Sequence, residues 1–269
     1  MERSTQRKEG NPAEDGRARF EPRKLFEASG VVALDKPAGL PTQAPPGIAS
    51  VEAWLRGHLA RPQPSQSPYV GVPHRLDRPV SGVLLMATTP RAARKLSRQF
   101  ERRQVAKTYL AILAPADPEA SSLFDAGGSV EWRNQIEKVP DEPRAQIVAE
   151  PGPMAREAVT HARLLGRLSA GRIMVELRPL TGRMHQLRLQ AVSRDLPVVG
   201  DELYGTAGQI AFGPPCEDPR ARPIALHAWR IVYADPDTGR EVVAEAPLPE
   251  FWPDEARRAI ADEAAGRGG

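Results

Sequence analysis

The chain has 269 residues, 41% hydrophobic and 26% charged, with 37 Lys plus Arg against 34 Asp plus Glu and a net charge of +3. That length and mix belong to an ordinary globular protein of one large or two small domains, and so small a net charge does not by itself single out a nucleic-acid partner. The single cysteine, Cys216, excludes an internal disulfide framework and a thiolate cluster for zinc, and no apolar run approaches the ~20 residues of a membrane span, so a cytoplasmic location is expected.

Residues 1–25 mix both charges and lack an apolar core, so they read as a disordered polar tail and not as a signal peptide. Order is expected from near Phe26 to residue 255 as one domain, with 256–269 as a C-terminal tail. VVALDKPAGLPTQ (31–43) predicts an apolar strand followed by a Pro-Gly-Pro bend. Residues 51–60 read as a helix despite Gly57, and RPQPSQSPY as a loop leading into HRLDRPVSG (74–82). There Pro79 cannot continue a helix and biases Arg78 toward an extended shape, while Ser81-Gly82 offers turn chemistry before the strand VLLMA. Asp77 is thereby expected on a rigid loop at a strand's start, a common address for reactive side chains.

Residues 91–107 concentrate basic charge against the single Glu101. At helical spacing Ala93, Leu96 and Phe100 share one face, while Arg91, Arg94, Lys95, Arg98 and Arg102 line the other. Such a stripe is ordinarily a solvated face, and phosphate contact is its sharper reading. TYLAIL (108–113) is the next strand, and 114–158 read as a loop-dominated excursion with a short hairpin around SVEWRNQIEKV. VTHARLL and RIMVELR form a hairpin across GRLSAG. In TGRMHQLRLQAVSRD, Thr181 is placed to cap a helix whose inner face carries Met184, Leu187 and Ala191. PVVGDELYG is a bend, and IALHAWRIVY and EVVAEAP are late strands. Many strands with few helices predict an α+β protein: a mixed, largely antiparallel sheet with helices at its side.

Read singly, the polar residues have plain structural roles. An Asp in a Pro-containing loop is more often a turn residue than a nucleophile, and Tyr109 within TYLAIL suits a core. His74, His185 and His227 suit hydrogen-bonded structural histidines, and Asp201 suits a turn. The ordered combination reverses this for Asp77: HRLD followed by SG, then KTYLAIL, then TGRMHQLR and GDELYG, resembles the successive motifs of the RluA family of pseudouridine synthases. VVALDKPAGLPTQ and LHAWRIVY resemble that family's opening strand and late strand, so the similarity spans about residues 28–250.

The resemblance implies isomerisation of uridine in RNA, moving the ribose–base bond from N1 to C5 without metal or cofactor. It assigns Asp77 as catalytic, and an ionised carboxylate suits a reaction that leaves an electron-poor sugar carbon. Whether Asp77 attacks the ribose, adds to the base or drives elimination to a glycal stays open. A cation must keep a shielded Asp charged; the match proposes Arg188, with Arg183 as the alternative. Tyr109 is the acid–base candidate for the proton leaving C5, and a phenol of pKa about 10 needs nearby cations, such as Lys107, to serve as a base. The target must be flipped out of folded RNA, so Arg75 is expected to enter the vacated space or hold a phosphate, with His74, Lys107, Arg183 and the 91–107 stripe as further RNA contacts.

Two departures stand out: Val80 where the family usually has Thr, and Gln190 in place of its common His. With only residues 1–25 before the catalytic region, the accessory N-terminal RNA-binding domain of many relatives is not expected, and a monomer binding tRNA, rRNA or both through its catalytic domain is. Two other classes compete: a noncatalytic RNA-binding or RNA-folding protein, and a nucleoside hydrolase or glycosidase. The second ordinarily needs another carboxylate, and none is evident.

Overall fold

The computed structural model describes residues 21–60, 67–124, 129–205 and 211–266. Its strands are β1 (Arg23–Ala28), β2 (Val31–Lys36), β3 (Ser81–Ala87), β4 (Ala106–Leu113), β5 (Ser129–Lys138), β6 (Ala145–Ile147), β7 (Arg156–Arg167), β8 (Ile173–Pro179), β9 (Leu226–Ala234) and β10 (Glu241–Glu245). The α-helices are α1 (Val51–His58), α2 (Pro90–Glu101), α3 (Gln186–Val192) and α4 (Asp254–Gly266). The strands form one sheet in the order β1-β2-β3-β9-β4-β8-β7-β5-β6, with β10 also on β9. Every described pairing is antiparallel except the short parallel contact of β3 with β9. This is the mixed, largely antiparallel α+β architecture expected.

The central strands are apolar on both faces because both faces are covered. Val83, Leu85 and Ala87 of β3 pack with Ala92 and Leu96 of α2, while Leu84 and Met86 pack with Val51 and Leu55 of α1. The period of two thus divides one strand between two cores. Leu96 is fully buried, worth roughly 2 kcal/mol of apolar transfer. A third core joins β4 and β8 to α3 and α4 through Ile112, Val175, Leu187, Trp252 and Ala256.

Several expectations need correction. The basic helix is shorter than 91–107: Thr89 caps it by accepting from the Ala92 amide, Pro90 opens it, and it stops at Glu101. Arg103 then takes φ +57°, and β4 begins at Ala106. Within 114–158 lies β5, ten residues long, paired with β7 from Ser129 to Ile136 and with β6 at its end. Ser81 and Gly82 belong to β3 and not to a turn before it. Thr181 caps no helix: its hydroxyl joins Val159 and Gln186, and α3 begins after His185. Met184 therefore stands outside the helix, packed beside Leu189 and Ile136. The C-terminal segment from 256 is helical through Gly266, with Ala256 and Ala259 buried in the third core. Strand β1 starts at Arg23, inside the expected tail, whose first 20 residues lie outside the described ones.

Candidate active site

The loop carrying Asp77 is stapled on both sides. Thr42 bonds Leu76 through both its amide and carbonyl, at 3.1 and 3.0 Å. On the other side, the Arg78 carbonyl accepts from the Gly39 amide at 2.8 Å and from Lys36 Nζ at 3.2 Å, while Arg78 Nε donates to the Gly39 carbonyl. Between them the Val80 amide donates to the Asp77 carbonyl, closing a turn that Pro79 stiffens. The segment KPAGLPT is thus the cradle of HRLD. Lys36 is fully buried and also donates to the Pro37 and Leu40 carbonyls. Burial pushes its amine down to about 7, against the opposing pull of Asp77.

Asp77 faces Arg188, whose Nη1 lies 3.4 Å from Oδ2. Arg188 is buried on α3, and its Nε and Nη2 each donate at 2.6 Å to the two oxygens of buried Asp201. Burial opposes the charge of Arg188, but Asp201 and then Asp77 more than offset it and raise its pKa. Asp201 also accepts from the amides of Leu203 and Tyr204, so it holds the expected turn and orients the arginine as well. The Tyr204 ring lies 5.0 Å from the guanidinium, and its hydroxyl shares a 2.7 Å hydrogen bond with His185 Nδ1. His185 Nε2 stands 3.8 Å from Asp77. Burial lowers its pKa, only partly countered by Asp77.

Asp77, His185 and Arg188 open on a cavity of about 950 Å³, lined also by Arg75, Lys107, Tyr109, Arg183 and Leu226. Arg75 is exposed at its edge. Lys107 donates to the Thr181 carbonyl at 3.2 Å, and burial lowers its pKa to about 8. Tyr109 moves opposite to the expectation: burial, and then the negative charge of Asp77, raise its phenol above the ordinary value. Arg183 turns away from Asp77 and donates to the Glu157 carbonyl at 2.9 Å. His74 accepts from the Leu85 amide at 2.9 Å and stacks on Phe100, and burial drives its pKa to about 3, so it is a neutral structural group. His227 is structural too: Nε2 donates to the Ala246 carbonyl, leaving Nδ1 to accept from Ser81.

The α2 stripe divides. Arg91 pairs with Asp237 at 3.0 Å and Lys95 donates to the Pro236 carbonyl, so both serve the β9–β10 hairpin. Arg94, Arg98 and Arg102 are exposed. The two departures are accommodated. Val80 is buried among apolar neighbours, and Gln190 accepts from Thr160 while donating to the Trp132 and Ala158 carbonyls. Sequence reasoning missed Lys36, Thr42 and Tyr204 as supports of this site. The Lys-Pro and Gly-Leu-Pro-Thr residues beside the opening strand were the available signal for the first two.

The profile of the RNA pseudouridylate synthase family matches residues 30–193. The chain is 34% identical over 240 residues to an uncharacterized RNA pseudouridine synthase of Zymomonas mobilis, covering 86% of this chain and 96% of that one. It is 34% identical over 232 residues to the ribosomal large subunit pseudouridine synthase D of Xanthomonas campestris and 33% over 230 to that of Nitrosomonas europaea. In each case the match covers 84% of this chain, but it spans only 66% and 62% of those relatives. In fold, it superposes on human RNA pseudouridylate synthase domain containing 1 with a TM-score of 0.66 and 24% identity, over 89% of this chain and 88% of that one.

Proposed function

The chain belongs to the RNA pseudouridylate synthase family, and from that premise we propose that it converts uridine in RNA to pseudouridine with Asp77 as the catalytic residue. The observation that carries this reading is the Asp77 carboxylate held 3.4 Å from buried Arg188 at the wall of the cavity. The reaction breaks C1′–N1, turns the uracil, forms C1′–C5, and loses a proton from C5 while N1 gains one, so the net change is an isomerisation. A fixed carboxylate meets the electron deficiency at C1′ as nucleophile or opens elimination as base, and the Arg188 guanidinium beside it orients it.

Tyr109 lines the cavity as a neutral phenol, suited to hold or relay the C5 proton as a hydrogen-bonding partner and not as a phenolate. Lys107, with its lowered pKa, is the neighbouring group able to take a proton. Arg75 at the cavity edge suits the space left by a flipped base. Residues 26–255 would form the catalytic domain, now extended by α4. No helix among the described residues is long and apolar enough to cross a membrane. The names of the Xanthomonas and Nitrosomonas relatives favour ribosomal RNA as substrate over transfer RNA.

The test is a single-nucleotide map of pseudouridine in total RNA from cells with and without the gene. One or more sites should vanish on deletion and return with the wild type but not with Asp77→Asn. Full restoration by Asp77→Asn would overturn the assignment. A map unchanged by deletion, with RNA binding intact, would favour a noncatalytic RNA-binding protein.

A further inference from the structure

Two arginines of the cavity rim and a third beside them form a basic cluster, with Glu101 also on the rim and Glu157 beside Arg183. Arg103 follows α2 at φ +57°, is exposed and lines the cavity. Arg183 lines it from the segment before α3 and spends its Nε on the Glu157 carbonyl. Arg156 opens β7, exposed, with Nη1 on the Pro153 and Ala155 carbonyls at 2.6 and 2.8 Å. The adjacent carboxylate is already engaged, because Glu157 pairs with Arg133 at 2.7 Å. Carbonyl contacts orient a guanidinium without neutralising it. Their mutual repulsion is felt: the charged form of Arg183 is disfavoured first by burial and then by Arg103 and Arg156, with Glu157 opposing them only in part.

Like charges brought together at a cleft, two of them oriented by neutral carbonyls, are suited to an anion that bridges them. Arg91 and Lys95 of the α2 stripe, by contrast, are committed to the β9–β10 hairpin. We propose that Arg103, Arg156 and Arg183 form one phosphodiester seat on the cavity rim, holding the RNA backbone beside the nucleotide that enters the cavity. This rests on the RNA reading above and specifies where the backbone runs: across the end of α2 toward the start of β7, and not along the outer face of α2. Leu180, 48% exposed and part of the same wall, offers an apolar surface for a neighbouring base.

The experiment measures binding of the full chain to a fluorescein-labelled oligouridylate of about twelve nucleotides across a salt series. In R103Q/R156Q, affinity at ~0.1 M salt should fall about tenfold, and the slope of log K against log salt should lessen by about 0.7 for each phosphate no longer neutralised. R103K/R156K should keep the wild-type slope. R240Q, which removes one exposed charge at the β9–β10 turn, should change neither affinity nor slope. A folded R103Q/R156Q with wild-type affinity and slope overturns the seat. Should the double variant lose its circular-dichroism signal, R103Q and R156Q are read singly by the same criterion.

The pseudouridine map separates this from the enzymatic reading. A wild type that forms pseudouridine while R103Q/R156Q binds normally overturns the seat alone. A wild type whose binding depends on the cluster but which forms no pseudouridine overturns the isomerase reading and keeps the seat.

Discussion

Asp201 holds Arg188 side-on, each of its oxygens accepting at 2.6 Å from a different guanidinium nitrogen, so the arginine's plane is set before any substrate arrives. The remaining nitrogen, Nη1, is left to reach Asp77 at 3.4 Å. Asp201→Asn keeps an acceptor for the Leu203 and Tyr204 amides but leaves a buried cation with half its neutralisation. The expected loss is about 3 kcal/mol of stability and about 100-fold in kcat, since a misplacement near 1 Å costs that much. RNA affinity should change little. Urea unfolding and steady-state kinetics check both, and a variant with wild-type kcat would remove Asp201 from the positioning role.

Tyr109 is pushed up by burial and by Asp77, so it stays protonated throughout the neutral range. Tyr109→Phe should therefore lower kcat by about 10²-fold or more with RNA affinity unchanged. The wild-type pH–rate profile should show no limb from a phenol losing its proton below about pH 10. A wild-type limb near neutrality that disappears in Tyr109→Phe would mean that a phenolate is formed after all.

Acid sensitivity should come partly from buried histidines. Burial takes His74 to about 3 and His227 to about 4, both below the ordinary 6.5. The unfolded chain therefore takes up protons that the folded one refuses. Their stability is complete above pH 6.5 and is lost as pH falls toward the folded values. Each contributes a slope of up to about 1.4 kcal/mol per pH unit. His74→Gln keeps an acceptor for the Leu85 amide without titrating. Urea unfolding from about pH 7 to about pH 5 should show a shallower slope than the wild type, with His227 and His185 still contributing theirs, and an unchanged slope would count against His74 as a source.

Much of this was legible because it is local. The apolar runs of β2 and β3 alternate between two cores, and Pro79 disqualified a helix at HRLD. What was not legible depends on distant partners. Strand β5 alternates polar residues with Trp132 and Ile136, and it becomes a strand through its pairing with β7, which begins beyond a Pro- and Gly-rich stretch. Thr181 has the residue type of a helix cap, but its hydroxyl goes to Gln186 and to Val159 on a neighbouring strand. The split of the α2 stripe follows from the β9–β10 turn, more than a hundred residues away in the chain. The pairing of Asp77 with Arg188 instead of Arg183 follows from the short α3 and from the turn that presents Asp201.

Gly82 lies in the parallel contact of β3 with β9, at φ +114°. A Cβ there would sit 2.2 Å from the Ala228 carbonyl oxygen and 2.7 Å from two further backbone atoms of that residue. The same contact carries the Ser81–His227 bond at 2.8 Å, which a separation of the strands would stretch. Gly82→Ala should cost more than about 4 kcal/mol, read as loss of soluble folded protein or a collapse of Tm. A variant melting with the wild type would show that the two strands can separate freely.

Lys36 joins the fold to the chemistry, because one of its three carbonyl partners belongs to Arg78, the residue after Asp77. Lys36→Met retains much of the bulk and removes every donor. It should cost on the order of 2 kcal/mol and lower kcat with KM nearly unchanged, since the loop loses its anchor while the RNA-facing arginines stay in place. The pH dependence identifies the cause. With the folded amine at about 7 against an ordinary 10.5, the unfolded chain holds the extra proton between those values, so wild-type stability rises with pH from about 7 upward. Lys107, lowered to about 8, contributes in the same sense but is present in both proteins. The difference between the two stability curves therefore isolates Lys36. A difference that grows from about pH 7 to about pH 9 supports a buried, titrating anchor. A constant offset would mean that Lys36 acts by packing and hydrogen bonds alone.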